Sequence, residues 1–145
     1  MDMNLPDSLW AASASPAAET PPLKGRHGGD VVVIGGGFTG LSTALHLAEA
    51  GKSVIVLEAA EPGWGASGRN GGQVNPGWRM LPSEIAAKYG SNRTPTVLDM
   101  LNKAPDLVFD LIGRHGIACD HERHGFVHAG FGRVGRDFLD GWVRE

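Results

Sequence analysis

The stretch DVVVIGGGFTGLSTALHLAEAGKSVIVLE, residues 30–58, decides the fold of this chain. Its first segment, residues 30–34, is β-branched and apolar after the opening aspartate, which predicts a strand buried on both faces. Apolar side chains then recur every three or four positions over residues 41–48, as on one face of a helix that Gly51 can end. Residues 53–58 form a second apolar run. A strand, a helix and a strand over about 30 residues predict a right-handed βαβ unit with parallel strands.

A glycine turn with the spacing Gly-x-Gly-x-x-Gly separates the first strand from the helix, at Gly35, Gly37 and Gly40. The first glycine permits a tight turn, the second lets a pyrophosphate approach the backbone, and the third lets the helix pack closely. The N-terminus of the helix offers N–H groups and its positive dipole end to phosphates. Glu58 ends the second strand, where a carboxylate would bind a ribose 2′-hydroxyl and repel a 2′-phosphate. This pattern predicts a dinucleotide site that excludes NADP and leaves NAD and FAD open.

A second glycine loop, GWGASGRNGGQ at residues 63–73, follows the second strand. It combines small residues with one cation, Arg69, and two amides, Asn70 and Gln73. Long loops inside compact domains are usually functional when they are ordered. Backbone N–H groups and Arg69 could lie here along a diphosphate and beneath a large flat ring. An NAD dehydrogenase normally continues into its next helix at this point, so the loop favours FAD.

These segments resemble the N-terminal part of the D-amino-acid-oxidase-type FAD-dependent oxidoreductases. The resemblance rests on residues 31–40, on Glu58 with the following alanine, and above all on residues 65–73. The gamma-glutamylputrescine oxidase branch is the most similar, because it shares segments like residues 9–14 and 116–120. The resemblance extends over nearly the whole chain.

The resemblance implies a two-domain flavoenzyme much longer than this chain, in which an amine passes a hydride to the flavin. The imine is then hydrolysed, and oxygen reoxidises the flavin to give hydrogen peroxide. The expected cofactor is FAD and the expected partners are a primary or secondary amine and oxygen. No catalytic acid or base is predicted within this chain, since the flavin carries the chemistry. The residues that the resemblance assigns to FAD are Gly35, Gly36, Gly37, Phe38, Thr39, Gly40, Glu58, Ala59, Ser67, Arg69, Asn70, Gly71, Gly72 and Gln73.

Four segments are expected along the chain. Residues 1–29 are a proline-rich arm, which we expect to be extended and to dock Trp10 on the body. Residues 30–80 hold the βαβ unit and the second glycine loop. The other two segments are a helical one over residues 81–118, with a kink at Pro105, and the start of a second domain over residues 119–145.

The second domain is expected to begin with a strand at residues 125–129 and a helix over residues 133–145 that the chain leaves unfinished. In that helix Val134, Phe138 and Trp142 share one face, which we expect to be partly exposed. The fold class is therefore α/β: a Rossmann-type FAD-binding βαβ unit with the start of a substrate-binding domain, truncated.

Charge and cysteine content exclude several other classes. Thirteen Lys and Arg against sixteen Asp and Glu give a net charge of -3, so nucleic-acid binding is not expected. No apolar run approaches the roughly 18 residues of a membrane span, and no membrane partner is expected. The single cysteine, Cys119, is typical of a reducing compartment and predicts a cytoplasmic protein.

Two competing interpretations remain. Cys119, His121 and His124 could hold zinc, but their spacing matches no common zinc motif, so a solvated turn is favoured and no metal site is predicted. The alternative function is a truncated nucleotide-binding module without chemistry. It shares the same glycine turn, so the residues alone leave it open.

Overall fold

The computed structural model describes residues 7–16, 18–78 and 80–145. The chain forms two compact units, Met1–Gly72 and Gln73–Glu145. The elements of the first unit are helix α1 (Leu9–Ser13), strand β1 (Val31–Ile34), helix α2 (Phe38–Glu49), strand β2 (Val54–Leu57) and a 3-10 helix (Ala66–Gly68).

The βαβ unit of the first unit is confirmed. Strands β1 and β2 pair in parallel, with Val31 opposite Val54 and Ile34 opposite Leu57. Helix α2 connects them and is followed, after Ala50, by Gly51, whose φ of +78° is the left-handed conformation expected of a glycine that ends a helix. The N–H of Gly51 donates to the carbonyl oxygen of Ala48 at 2.9 Å, which satisfies one of the last carbonyls of the helix.

The sheet is covered on one face by α2. Ala44 of α2 is buried, and the helix approaches Val33 on the inner face of β1. The opposite face of β1 is open, with Val32 53% and Ile34 87% exposed. The expectation of burial on both faces is therefore wrong for β1, because α2 covers only the face of Val31 and Val33.

The proline-rich arm contains the short helix α1 and has no helix or strand over residues 18–30. Ser8 caps this helix, since its Oγ accepts a hydrogen bond from the N–H of Ala11 at 3.1 Å. The indole of Trp10 lies against Gly72 and remains 46% exposed. The predicted docking of Trp10 on the body is confirmed, while a helix around it was not expected.

The described residues of the second unit form the helices α3 (Pro82–Tyr89), α4 (Thr94–His115) and α5 (Gly132–Arg144). Helix α3 packs on α4, and Ile85 of α3 is fully buried. The C-terminus of α5 is bound to the start of α3, because the carboxylate of Glu145 accepts from the N–H of Ser83 at 2.8 Å and from its Oγ at 2.7 Å. In the described part of the chain, no helix is long and apolar enough to cross a bilayer.

Pro105 lies inside α4 and leaves the carbonyl of Leu101 without its helical donor. The N–H of Gly77 donates to that carbonyl instead, at 3.4 Å. The irregular segment before α3 thus satisfies the group that the proline releases.

The strand predicted at residues 125–129 is not formed, and residues 117–131 contain no helix or strand. Among the described residues, the only strand pairing is that of β1 with β2. Aromatic side-chain contacts position residues 125–129 instead of strand pairing. The ring of His128 contacts Phe126 and Phe138 edge-on, with centroids at 5.5 and 5.3 Å. The segment therefore folds back on α5 through aromatic contacts, and Phe138 itself remains 42% exposed, as expected for that face.

Candidate functional site

The glycine turn, residues 35–40, lies at the carboxyl end of β1 and opens α2. Gly35 has φ +105°, and its N–H donates to the carbonyl of Leu57 at 2.7 Å, so the turn starts directly from the sheet. A Cβ on Gly40 would overlap the carbonyl oxygen of Gly35 and would lie 3.3 Å from Cγ1 of Val33. Helix α2 therefore packs so closely on the turn and β1 that only glycine is accommodated at position 40.

Glu58 binds the backbone of the glycine turn. Its Oε2 accepts from the N–H of Gly36 at 2.6 Å, and its Oε1 accepts from the N–H groups of Ala59 at 2.8 Å and Ala60 at 3.1 Å. These donors, that of Gly36 first, hold the pKa of the Glu58 carboxyl below its usual value. The side chain is ionised near neutral pH and fixes the end of β2 to the turn.

The same carboxylate can still receive a ribose. Two carboxylate oxygens offer about four acceptor positions, and three N–H donors leave one of them available. A Cβ on Gly36 would lie 3.2 Å from Oε2 of Glu58, so the absence of a side chain there permits the close contact. The arrangement is compatible with the predicted contact between Glu58 and a ribose hydroxyl, which stays a prediction.

The second glycine loop lies across the glycine turn. Oγ of Ser67 accepts a hydrogen bond from the N–H of Phe38 at 2.9 Å, at the N-terminus of α2. The N–H of Gly63 donates to the carbonyl of Gly36 at 2.9 Å. A Cβ on Gly37 would lie only 2.9 Å from Oγ of Ser67. The structure thus brings Gly36, Gly37, Phe38 and Ser67 together around one helix N-terminus, where backbone donors attract anions.

The part of the loop after Ser67 is ordered by its own side chains. Nε of Arg69 donates to the carbonyl of Trp64 at 2.8 Å, and the guanidinium lies 4.6 Å from the centre of the Trp64 ring. Asn70 donates to the carbonyl of Ser67 and accepts from the N–H of Gly72, both at 2.8 Å. Hydrogen bonds within the loop therefore order residues 67–72.

Trp64 is a site residue that the sequence did not single out, and for Trp10 the sequence predicted docking on the body without indicating Gly72 as its partner. Trp64 orients the only cation of the loop, Arg69. Trp10 lies on Gly72, where a Cβ would be 3.3 Å from Cη2 of the indole. Gly72 also has φ +66°, so two independent features favour glycine there. The contact of Trp64 with Arg69 could have been inferred from their spacing of five positions. The contact of Trp10 with Gly72 joins distant parts of the sequence and has no such local signal.

The remaining predicted residues are exposed. Phe38 is 67% exposed and Thr39 is exposed at the first turn of α2. Gly71 is exposed within the loop, and Gln73 begins the second unit. Their contacts with FAD stay predictions.

A cavity of about 430 Å³ opens beside Gly36 and Glu58, at the carboxyl end of β2. This volume is within the range of about 300–1,000 Å³ that is typical of ligand pockets. The glycine turn, the carboxylate and the cavity are therefore contiguous, which suits an elongated dinucleotide.

The cysteine and histidine cluster does not form a metal site. Sγ of Cys119 lies 3.9 Å from Nδ1 of His121, while His124 pairs with Glu122 at 2.7 Å. In residues 7–16, 18–78 and 80–145, no three His, Cys, Asp or Glu side chains converge on a point that could hold a metal ion.

Comparison with known proteins identifies relatives of the chain. The chain is 42% identical, over 84% of its length, to gamma-glutamylputrescine oxidoreductase of Escherichia coli, and it covers 29% of that protein. It is 43% identical over 80% of its length to the probable oxidoreductase OrdL of Haemophilus influenzae, covering 27% of that protein. The chain thus spans less than a third of the length of these relatives. No solved structure matches it significantly.

A family model for FAD-dependent oxidoreductases matches residues 30–145, which include the βαβ unit and both glycine segments. The residues present fit that cofactor, because the glycine turn ends at Gly37, the N-cap of α2, where backbone N–H groups attract a pyrophosphate, and Glu58 directly follows β2. The cofactor of this family is FAD, and the chain belongs to the family of FAD-dependent oxidoreductases.

Proposed function

We propose that the chain is the FAD-binding N-terminal part of an amine oxidoreductase. The observation that supports this most directly is the contact between the two glycine segments, where Oγ of Ser67 accepts from the N–H of Phe38 at the start of α2 and Glu58 binds the N–H of Gly36. In the proposed arrangement residues 30–80 bind FAD, residues 81–118 form a helical segment, and residues 119–145 begin the substrate-binding domain.

The residues of the turn would bind the pyrophosphate. The N-terminus of α2 offers backbone donors and a positive dipole end, and Gly37 is its N-cap residue. Arg69 would add a positive charge from the second glycine loop, held in place by Trp64. We expect Asn70, Gly71, Gly72 and Gln73 to lie between the pyrophosphate and the flavin ring.

When bound, FAD would supply the redox chemistry: a hydride from the amine carbon and a proton from the amine nitrogen would pass, by way of the flavin, to oxygen, which would give an imine and hydrogen peroxide. The chain's own residues would bind and orient the cofactor, and none of them is proposed as an acid or a base. The amine is proposed because the E. coli relative is a gamma-glutamylputrescine oxidoreductase. The partners would then be an amine and oxygen.

We further propose that the protein is cytoplasmic and does not bind nucleic acids. Cys119 is an exposed, unpaired thiol, as is usual in the reducing cytoplasm, where we place the protein. The net charge of -3 does not suit binding to a nucleic-acid backbone.

The visible spectrum of the purified chain tests the cofactor. We expect a yellow protein with flavin absorption bands, either as isolated or after addition of FAD and removal of the excess. A colourless protein that still binds ADP-ribose would instead support the alternative, a nucleotide-binding module without flavin chemistry.

A chimera tests the amine half of the proposal. This chain would replace the matching N-terminal part of E. coli gamma-glutamylputrescine oxidoreductase, to which it is 42% identical. We expect the chimera to retain FAD and to produce peroxide only when the amine is added. A flavin-loaded chimera that oxidises no amine would contradict the proposal, while its spectrum would show that the FAD site had formed.

A further inference from the structure

The cavity beside Glu58 has two walls of different origin. One wall is the end of β2 and the residues after it, including Leu57 and Glu58. The other wall is the proline-rich arm, which contributes Thr20, Pro21, Pro22 and Leu23. The arm lies outside residues 30–145, to which the family match is confined, so that match assigns it no role.

The side chains that line the cavity suit the base and ribose of a dinucleotide better than its phosphates. Its walls are mostly apolar, and among the described residues that line it Glu58 is the only charged one. The described lining thus includes neither lysine nor arginine and does not suit a phosphate. Apolar walls suit a flat heterocyclic base, and a carboxylate suits ribose hydroxyls. Gly36 also lines the cavity, which therefore continues directly from the glycine turn.

The arm is bound to the rest of the first unit both before and after the residues that line the cavity, residues 20–23. Towards its start, Trp10 lies on Gly72 of the second glycine loop. At its end, Oδ2 of Asp30 accepts from the N–H of Ser53 at 2.9 Å, and the N–H of Asp30 donates to the carbonyl of Ser53 at the same distance. The wall itself contains two consecutive prolines, whose fixed φ lowers the entropy lost when the segment is ordered.

We infer that arm residues 20–23 form the outer wall of the pocket for the adenosine end of FAD, with Pro21, Pro22 and Leu23 against the adenine ring and Glu58 at the ribose. This inference rests on the proposed function. It adds that the arm determines affinity for the adenine-containing half of the cofactor, whereas the two glycine segments bind the pyrophosphate.

Titration of the complete chain with FAD, ADP and FMN tests the inference, because FMN lacks the adenosine. The variant is Leu23→Ala, and the matched control is Leu9→Ala, which shortens another exposed leucine of the same arm that does not line the cavity. We expect Leu23→Ala to weaken FAD and ADP binding by the same factor, about three- to tenfold. Its binding of FMN and its melting temperature without ligand should equal those of the wild type, and Leu9→Ala should change nothing.

The remaining outcomes overturn the inference in distinguishable ways. Unchanged ADP and FAD binding in Leu23→Ala would show that the arm does not touch the adenosine. Equal losses for ADP, FAD and FMN, together with a lower melting temperature, would show a merely structural role. A wild-type chain that binds ADP but not FAD would contradict the proposed function, and the ADP titration would still decide the role of the arm. A chain that binds neither would contradict both.

Discussion

The carboxylate of Glu58 accepts a hydrogen bond of 2.6 Å from the backbone N–H of Gly36, although 22 residues separate the two in sequence. This contact joins the end of β2 to the centre of the glycine turn. Because the N–H groups of Ala59 and Ala60 bind the other oxygen, the carboxylate has a fixed orientation before any cofactor arrives. An acidic residue at this position therefore shapes the turn, in addition to its predicted contact with a ribose.

Replacing Glu58 by Gln should weaken FAD binding several-fold. The amide can still accept one hydrogen bond, but its NH2 group would face backbone donors that now have no acceptor. Glu61→Gln is the control, since it removes the same charge three positions later in the chain. Isothermal titration with FAD measures both variants. Equal affinity in Glu58→Gln and wild type would show that the turn does not depend on this carboxylate.

The same contact predicts a pH dependence of stability. Hydrogen bonds from Gly36, Ala60 and Ala59 lower the pKa of Glu58 in the folded chain below its value of 4.5 in the unfolded one. The stabilisation is therefore complete above the unfolded pKa and is lost as the pH falls through the folded pKa. Denaturant unfolding between about pH 3 and pH 6 should show a steeper loss of stability in wild type than in Glu58→Gln. Parallel curves would contradict the assignment; Glu145, whose pKa is also lowered, contributes equally to both.

Gly37→Val should abolish FAD binding while it leaves the circular dichroism spectrum largely unchanged. Its Cβ would lie 2.9 Å from Oγ of Ser67, and the branched side chain would occupy the space expected for the pyrophosphate. Gly28→Val is the matched control, because a Cβ there meets no atom within 4 Å. Flavin retained by Gly37→Val would place the phosphates elsewhere.

The parts of the fold that could be predicted from the sequence are those that depend on interactions between residues close together in the sequence. The apolar runs gave β1 and β2, the three-to-four spacing gave α2, and Gly51 and Gly116 both adopt the left-handed conformation expected where a helix ends. The close approach at Gly40 follows from the same local pattern, since the overlapping atom belongs to Gly35.

The parts that were not predictable depend on contacts between distant segments. The contact of Trp10 with Gly72 and that of Glu58 with Gly36 cross long stretches of sequence without any periodic signal. The strand expected at residues 125–129 failed for a related reason. A β-branched or aromatic run favours an extended backbone, but a strand also needs a partner, and aromatic contacts with Phe138 hold this segment on α5.

Gly40→Ala and Gly113→Ala should have opposite effects on stability. At position 40 the new Cβ would overlap the carbonyl of Gly35, so the helix must move from β1, at a cost of about 1–3 kcal/mol. At position 113, near the end of α4, a Cβ meets no atom within 4 Å, and alanine should stabilise the helix by about 0.5–1 kcal/mol. Thermal unfolding measures both variants. Destabilisation by both, or by neither, would show that the close packing at Gly40 is not specific.

Pro105→Ala should strengthen α4 and release Gly77. The alanine supplies the N–H that the carbonyl of Leu101 lacks, so it should stabilise the helix by up to about 3 kcal/mol and compete with the 3.4 Å bond from Gly77. Thermal unfolding should show the gain, and amide hydrogen exchange should be faster at Gly77 than in wild type. Pro95→Ala is the control, because Pro95 lies in the first turn of the same helix, where an N–H has no helical acceptor. Unchanged exchange at Gly77 in Pro105→Ala would show that its bond to Leu101 does not depend on the proline.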